Sequence, residues 1–486
     1  MTGAHGSSAI GPGKAPRFAA RWVLAIAVVT GIAHLAASFD GGYWFDEAYM
    51  LAIGREHLDF GSADQPPLAP LLAGLMDLLA PDSLVALRLP AVLATAAAVV
   101  VAGLVARELG GDRRAQVLTA GAQATTLWTS LAGHWLTPYA LEPLEWSVLF
   151  WLLTRWLRRR DDRLLLVFGA VAGIAAETKF QVLLLALALL LSVLVLGPRE
   201  LLRRPLLWAG AGIAAVIAAP TLIWQAAHGW PQLRMGAIVT AEAGPLYGGR
   251  AGLAVALLVL AGVAGTALSL YGSWRLLRAP ELREHRFLAL TAIALYAFFV
   301  VVPGRPYYLN GMYAVLAAAG ALGLQRRREA GSGRGRWIAW PAFGLSAAVA
   351  VTVLVASGQA TSPEVGRRIA ERAAAVYRGL PPEQRDDAVV MGRSYIHAAY
   401  VDAYSSAYDL PKAYSPNRSY GYFPPPPEGR GTVVYVGDQP PQELRPHFAE
   451  VRQVAGGADG PGVWLCSGKE RPWSSLWPEL RSLVVG

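Results

Sequence analysis

Arginines in this chain gather in short clusters, and between the clusters run apolar stretches, each long enough to carry a helix across ~30 Å of hydrocarbon. This alternation constrains the fold more than any other feature. In lipid an apolar run satisfies its backbone N–H and C=O groups only by closing them into a helix or a barrel, and runs of this length close into helices. About eleven spans are expected, near 20–38, 87–106, 116–133, 143–157, 164–178, 180–197, 206–224, 251–272, 287–303, 309–325 and 338–357. With 54% hydrophobic residues, 16% charged and a mean hydropathy of +0.36, the composition excludes three ordinary soluble domains. The predicted fold is mainly α: a polytopic transmembrane helix bundle in a lipid bilayer.

The clusters also orient the bundle. One set of connections holds Lys14, Arg17 and Arg21; Arg107, Arg113 and Arg114; Arg155, Arg158, Arg159, Arg160 and Arg163; Arg199, Arg203 and Arg204; Arg275, Arg278, Arg283 and Arg286; and Arg326, Arg327, Arg328, Arg334 and Arg336. The alternate connections before 358 hold only Arg55, Arg88, Lys179, Arg234, Arg250 and Arg305. The N-terminus is therefore expected in the cytoplasm of a multi-pass plasma-membrane protein, with the segment after 357 outside. A second reading takes residues 1–38 as a cleaved signal peptide, which leaves the following loop outside as well. The net charge of +9 belongs to this sorting of arginines, so no nucleic-acid partner is expected. Cys466, the single cysteine, has no partner for an internal disulfide and reads as a buried thiol.

On this topology Asp46 and Glu47, in YWFDEAYM, lie outside at the exit of the first span. Their loop, 39–86, is too long to be a plain connector. Its segments EAYMLAIGREHLDF and PPLAPLLAGLMDLLA have helical apolar spacing, predicting short amphipathic helices on the membrane surface. Lys179, between two apolar spans in GIAAETKFQVLLL, is costly so near lipid unless it meets an anion or a wet cavity. A snorkelling lysine paired with Glu177 is the plain alternative. Arg305 stands beside Tyr307 and Tyr308 at another outer helix end, where an aromatic belt with an anchoring cation is the plain alternative. Two acids and two cations on one membrane face suit an anionic lipid headgroup and a proton to be removed. HWLTPYALEPLEW adds His134, Tyr139 and Glu142 on the same side, as sugar contacts or as satisfied interfacial groups. His57, Asp59, His134 and His228 lack paired metal-ligand spacing, so no metal site is expected from them.

Residues 358–486 change in character. SPEVGRRIAERAAAVYRGL has amphipathic helical spacing, DDAVVMGRSYIHAAYVDAYSS reads as strand then helix, and GTVVYVGD as a strand. Between them a loop rich in Tyr, Asn, Pro and Gly offers Asn417, Tyr420 and Tyr422, with Tyr395 and Tyr404 ahead of it, as sugar-stacking or ordinary packing groups. A small extracytoplasmic α/β domain is expected over 358–486, above a transmembrane core over 1–357.

Taken in order, FDEAY, DQPPLAPLL, GIAAETKFQVLLL, IWQAAHGWPQL and RPYYLNGMYAVLAAAGA resemble the glycosyltransferase family 39 superfamily of GT-C membrane enzymes, which includes protein O-mannosyltransferases and the lipid A aminoarabinose transferase. The resemblance runs over about 20–325. It implies an inverting transferase that moves a sugar from a polyprenyl-phosphate donor to an acceptor hydroxyl outside the membrane. It implies Asp46 and Glu47 as the catalytic centre, and Lys179, Arg305, Tyr307 and Tyr308 as donor-phosphate contacts. It places Asp64 near the site and His228 in a loop along the donor cavity. Many relatives carry histidine or lysine just before the paired prolines; here that residue is Gln65. No cofactor is required by this chemistry, though a divalent metal is compatible with it. A flippase of lipid-linked sugars is the competing class, which would favour charges deep in the spans and an internal repeat.

Overall fold

The structure, a computed structural model, describes residues 15–331, 339–457 and 460–485. Of the charges used above for orientation, Lys14, Arg334 and Arg336 lie outside the described residues. Among the described residues sixteen α-helices precede the C-terminal unit: α1 Ala20–Ala37, α2 Phe45–Glu56, α3 Leu68–Leu79, α4 Leu84–Glu108, α5 Arg113–Ala124, α6 Leu127–Ala132, α7 Pro138–Arg159, α8 Arg163–Thr178, α9 Gln181–Leu196, α10 Pro205–Ala227, α11 Pro231–Tyr247, α12 Gly249–Val259, α13 Val263–Arg278, α14 Arg286–Val301, α15 Tyr313–Glu329 and α16 Ala339–Ala360.

Six described stretches are long and apolar enough to cross a membrane: Ala20–Ala37, Leu84–Glu108, Pro205–Ala227, Pro280–Val301, Pro306–Glu329 and Ala339–Gly379. The pair α12 and α13, bent by 94°, makes a seventh if counted as one span. The difference from the expected eleven has identifiable causes. The span expected at 116–133 is broken into α5 and α6 at Thr125–Thr126, and the one at 251–272 is broken before Gly262. The two breaks meet, with Leu127 N–H donating to the Leu260 carbonyl at 2.8 Å. Gly262 has φ +79° and packs against the Thr125 backbone, so only glycine suits that turn. Helices α8 and α9 have 16 residues each, about 24 Å at 1.5 Å per residue, and α7 carries Glu142, Glu145, Arg155, Arg158 and Arg159.

Small residues set how closely these helices approach. Helix α15, AVLAAAGALGL through its middle, is buried along nearly all its length. Gly320 meets the Leu268 backbone of α13 there, while Gly272 of α13 meets Leu316 of α15. Gly169 and Gly210 do the same for α8 and α10. In lipid, where apolar surface alone does not drive helices together, backbone approach of this kind supplies the packing.

The arginine-rich connections converge on one end of the bundle. Buried Glu108 takes ion pairs from Arg107, Arg155 and Arg158; Arg160 pairs with Glu200 and Glu284; Arg328 pairs with Asp112. Arg107 and Gln116 donate to the carbonyls of Pro16 and Arg17. The opposite end carries α2, α3 and the C-terminal unit.

That unit contains α17 Pro363–Gly379, α18 Pro382–Asp387, β1 Ala388–Gly392, α19 Tyr395–Ala403, α20 Ser405–Tyr408, β2 Ala413–Tyr414, β3 Thr432–Gly437, β4 Phe448–Gly457, β5 Gly460–Lys469 and α21 Trp473–Leu480. The sheet order is β2-β1-β3-β5-β4. Strand β1 runs parallel to β2 and β3, with Val390 opposite Val434, and β5 runs antiparallel to β3 and β4. Cys466 is buried in β5. Strands β1 and β3 and helices α17 and α19 stand where the sequence pattern puts them; the β4–β5 hairpin and α21 add to it.

One expectation fails here. Helix α2 is not a surface helix: Ala48 through Ile53 are all buried, packed with Tyr395, Ala398 and Ala399 of α19 in one apolar cluster. The C-terminal unit covers the face that the isolated segment would have laid on lipid. Helix α3 does keep an exposed apolar face, with Leu71, Leu75, Leu78 and Leu79.

Candidate active site

Helix α2 begins after an extended Trp44, and its first turn holds Asp46 and Glu47. Free N–H groups and the positive end of the helix dipole favour acids there. Successive helical residues point about 100° apart, so the two carboxylates face different surroundings.

Glu47 turns inward. Its Oε2 accepts the Trp44 N–H at 3.1 Å, its Oε1 accepts the Leu136 N–H at 3.1 Å, and Arg88 of α4 holds both oxygens, at 2.9 Å in the ion pair. Both side chains are fully buried. Arg88 spends its remaining donors on the carbonyls of Ser38, Asp40 and Gly42.

Asp46 turns outward into an open cavity of about 1280 Å³ lined by α2, α7, the α8–α9 break, α11, the 303–308 segment and the C-terminal unit. Its Oδ2 accepts from the Tyr139 hydroxyl at 3.2 Å and its Oδ1 from the Tyr395 hydroxyl at 3.4 Å. Tyr139 in turn accepts from the Trp44 indole at 2.7 Å. Burial pushes the Asp46 carboxyl up to about 6, against the pull of Arg418 toward the ionised form. Burial and the neighbouring Asp46 charge raise the Tyr395 phenol well above its usual range, so it stays a donor.

The predicted cations share this cavity. Lys179 lies at the extended break between α8 and α9, its ammonium 4.7 Å and 4.4 Å from the ring centres of Tyr307 and Tyr308. Glu142 is its nearest acid at 3.9 Å. Glu177, the partner considered from sequence, instead accepts from the Thr221 hydroxyl at 2.6 Å. Arg305 lines the cavity and pairs with Glu242 of α11. Tyr307 stacks on Trp128 at 4.3 Å. Asp64 accepts from the hydroxyls of Tyr49 and Ser419 at 2.7 Å and 2.6 Å, and lies 3.6 Å from Arg418. Gln65 lines the wall beside it. Leu184, Leu233, Leu246, Phe298, Phe299 and Val302 add an apolar part to the lining.

Asp46, Asp64, Tyr139, Lys179, Arg305, Tyr307, Tyr308 and Tyr395 are thus brought together, and the other candidates are not. Glu47 is held in the core as described, away from the cavity wall. Glu142 reaches the cavity only through Lys179. His134 is buried against His34, with Nδ1 atoms 3.4 Å apart, because the short α6 turns the following loop into the bundle. His228 ends α10 outside the cavity, stacked on Trp224 at 3.9 Å and bonded to the Trp224 carbonyl at 2.8 Å. Asn417 is a clamp for the chain's end, its amide donating to the carbonyls of Ser482 and Val484. Tyr420 is buried with its hydroxyl on Asp402 at 2.5 Å. Tyr404 packs on Tyr43 at 5.3 Å, and Tyr422 bonds Arg234 at 2.7 Å. His57 stacks on Phe423 at 4.0 Å and Asp59 accepts from the Trp224 indole at 3.0 Å. Among the described residues no group of three or more His, Cys, Asp or Glu is disposed to hold a metal.

Two charged cavity residues have no counterpart in the sequence reading: Arg418, from the Tyr- and Asn-rich loop, and Glu242, from α11. The loop stands out in the sequence by its aromatic content, and Arg418, set directly between Asn417 and the Tyr-rich run, is the signal it offers.

The fold is that of the GT-C membrane glycosyltransferases. Residues 64–224 match the family model described as dolichyl-phosphate-mannose-protein mannosyltransferase. ArnT from Cupriavidus metallidurans in the apo state superposes with a TM-score of 0.66 at 16% identity, covering 92% of this chain and 98% of ArnT. The same protein bound to undecaprenyl phosphate gives 0.62 at 16% identity over the same shares. The Archaeoglobus fulgidus oligosaccharyltransferase in complex with Zn and sulfate gives 0.51 at 15% identity, over 78% of this chain and 61% of that one. No curated protein matches the sequence.

Proposed function

We propose that this protein is an inverting membrane glycosyltransferase that takes a sugar from a polyprenyl-phosphate donor and gives it to a hydroxyl acceptor on the outer face of the plasma membrane. Residues 1–357 form its transferase core and 358–486 an extracytoplasmic unit that completes the cavity, with the arginine-rich end in the cytoplasm. The observation that carries this reading is the convergence of Asp46, Lys179 and Arg305 on one cavity that is also lined by apolar side chains. An amphipathic donor needs such a wall: charge for its phosphate, hydrocarbon for its chain.

The roles follow from chemistry. The acceptor hydroxyl attacks the anomeric carbon, the bond from that carbon to the phosphate oxygen breaks, and Asp46 takes the hydroxyl proton as general base. Polyprenyl phosphate leaves as an anion, so it needs cations nearby and no strong acid. Lys179 and Arg305 supply them, with Tyr307 and Tyr308 as hydroxyl and π partners. Tyr139 and Tyr395 orient the base. Glu47 is a positioning residue that fixes the first turn of α2 onto α4 through Arg88. The acceptor is a protein, a glycolipid or a wall glycan.

The test is release of polyprenyl phosphate from a panel of polyprenyl-phosphate sugars by the purified protein in liposomes. Wild type should release it with sugar appearing on an acceptor, while Asp46→Asn should bind donor and not turn over. Donor that crosses the bilayer with its sugar intact, equally in wild type and D46N, would mean a flippase instead.

A further inference from the structure

Glu242, on the cavity side of α11, receives two arginines from separate parts of the chain. Its Oε2 pairs with Arg305, which follows α14, and its Oε1 lies 3.3 Å from Arg418 of the C-terminal unit. All three line the cavity, and the arginine side chains are only 16% and 11% exposed. Two guanidinium groups, each on one oxygen of a single carboxylate, are spaced to grip two oxygens of a single anion. Guanidinium forks suit carboxylate and phosphate oxygens alike.

Arg418 is presented to the cavity by a particular backbone. Its φ of +48° is in the left-handed region, held there by its N–H bond to the Ser482 carbonyl at 2.7 Å. The guanidinium lies 4.6 Å over the ring of Tyr395, the tyrosine that donates to Asp46. Its Nε is buried without a hydrogen-bond partner, a donor left over after Asp64 and Glu242 are served.

We propose that Arg305 and Arg418 form a two-arginine clamp for the phosphate of the lipid-linked donor, and that Glu242 is its built-in competitor. The proposal rests on the polyprenyl-phosphate reading above. Two non-bridging phosphate oxygens take the places of Oε1 and Oε2, and the spare Arg418 Nε–H gains an acceptor. The C-terminal unit then contributes directly to donor binding, tying donor capture to closure of the unit over α2. Without its charge, position 242 competes less and the donor binds more tightly.

The experiment measures undecaprenyl phosphate binding to the full-length detergent-purified protein, by quenching of the tryptophans, of which Trp44 and Trp128 line the cavity. Arg418→Gln should weaken binding about tenfold or more, the scale of a lost charged hydrogen bond. Glu242→Gln should tighten it several-fold, and R418Q/E242Q should bind more tightly than R418Q, because Arg305 is freed, but less tightly than E242Q. Thermal unfolding of each variant shows whether it is folded, and E242Q keeps the test alive if R418Q is not. Wild-type affinity in folded R418Q, or weaker binding by E242Q, overturns the clamp while leaving the transferase reading in place. No binding of undecaprenyl phosphate by wild type overturns the transferase reading and the clamp with it. Inorganic phosphate is the second probe: if it alone shows binding sensitive to R418Q and E242Q, the site serves free phosphate and the lipid-headgroup assignment falls.

Discussion

The two sides of α2 differ more than their sequence neighbours suggest. Asp46 faces a cavity through two tyrosine hydroxyls, and burial without a cation in direct contact raises its proton affinity. Glu47, one residue on, is enclosed by Arg88 and two backbone N–H groups with every lone pair engaged. The first arrangement leaves a carboxylate able to take up a proton; the second satisfies a buried carboxylate with a full set of donors and ties it into the core. A helix turn of about 100° per residue separates chemistry from architecture.

Breaking each side separately should show the difference. The largest effect is expected from Asp46→Asn, which should cut turnover by about 10²- to 10⁴-fold, the range for a lost general base, while thermal stability in detergent stays near wild type. A D46N enzyme within threefold of wild type would remove Asp46 from the chemistry. On the other side, Arg88→Ala should destabilise by about 3–5 kcal/mol because it strands the Glu47 carboxylate in the core. Its readout is the unfolding midpoint, and a folded R88A with normal stability would dissolve the architectural account.

The pH dependence sharpens the comparison further. Only ionised Asp46 accepts a proton, so kcat/KM should rise with pH through an apparent midpoint of about 6. For stability the sign is opposite. A carboxyl whose folded value lies above its unfolded one binds its proton more tightly in the folded state, so its contribution is lost as pH rises from about 4 toward 6. D46N should flatten that part of the stability profile. The smallest effect is expected from Tyr395→Phe, which removes one long hydrogen bond to the carboxylate at 3.4 Å. Its activity midpoint should move upward by a few tenths of a pH unit, and a downward shift would contradict the donor role given to that hydroxyl.

Much of this molecule is legible without coordinates. The apolar runs between arginine clusters mark a helix bundle, and the sorting of arginines identifies the end where Glu108 gathers three of them. The residues that line the cavity from sequence, Asp46, Lys179 and Arg305, stand out because an ionisable group beside lipid is expensive and needs a reason. Helix lengths were harder to read. Hydropathy does not register a break such as that between α5 and α6, where the backbone bond from Leu127 to Leu260 replaces the missing helical one.

What the linear order determined is therefore a membrane helical bundle with acids and bases on one face, because apolar length and charge placement act locally. Which of two adjacent acids meets the cavity was decided by tertiary packing, since Arg88, far along the chain, claims Glu47 and leaves Asp46 free. The same holds for Tyr395 and Arg418. Tyr395 reaches Asp46 from some 350 residues away, and Arg418 reaches the same cavity, only because the C-terminal sheet and α19 pack onto α2, a contact that no local pattern encodes.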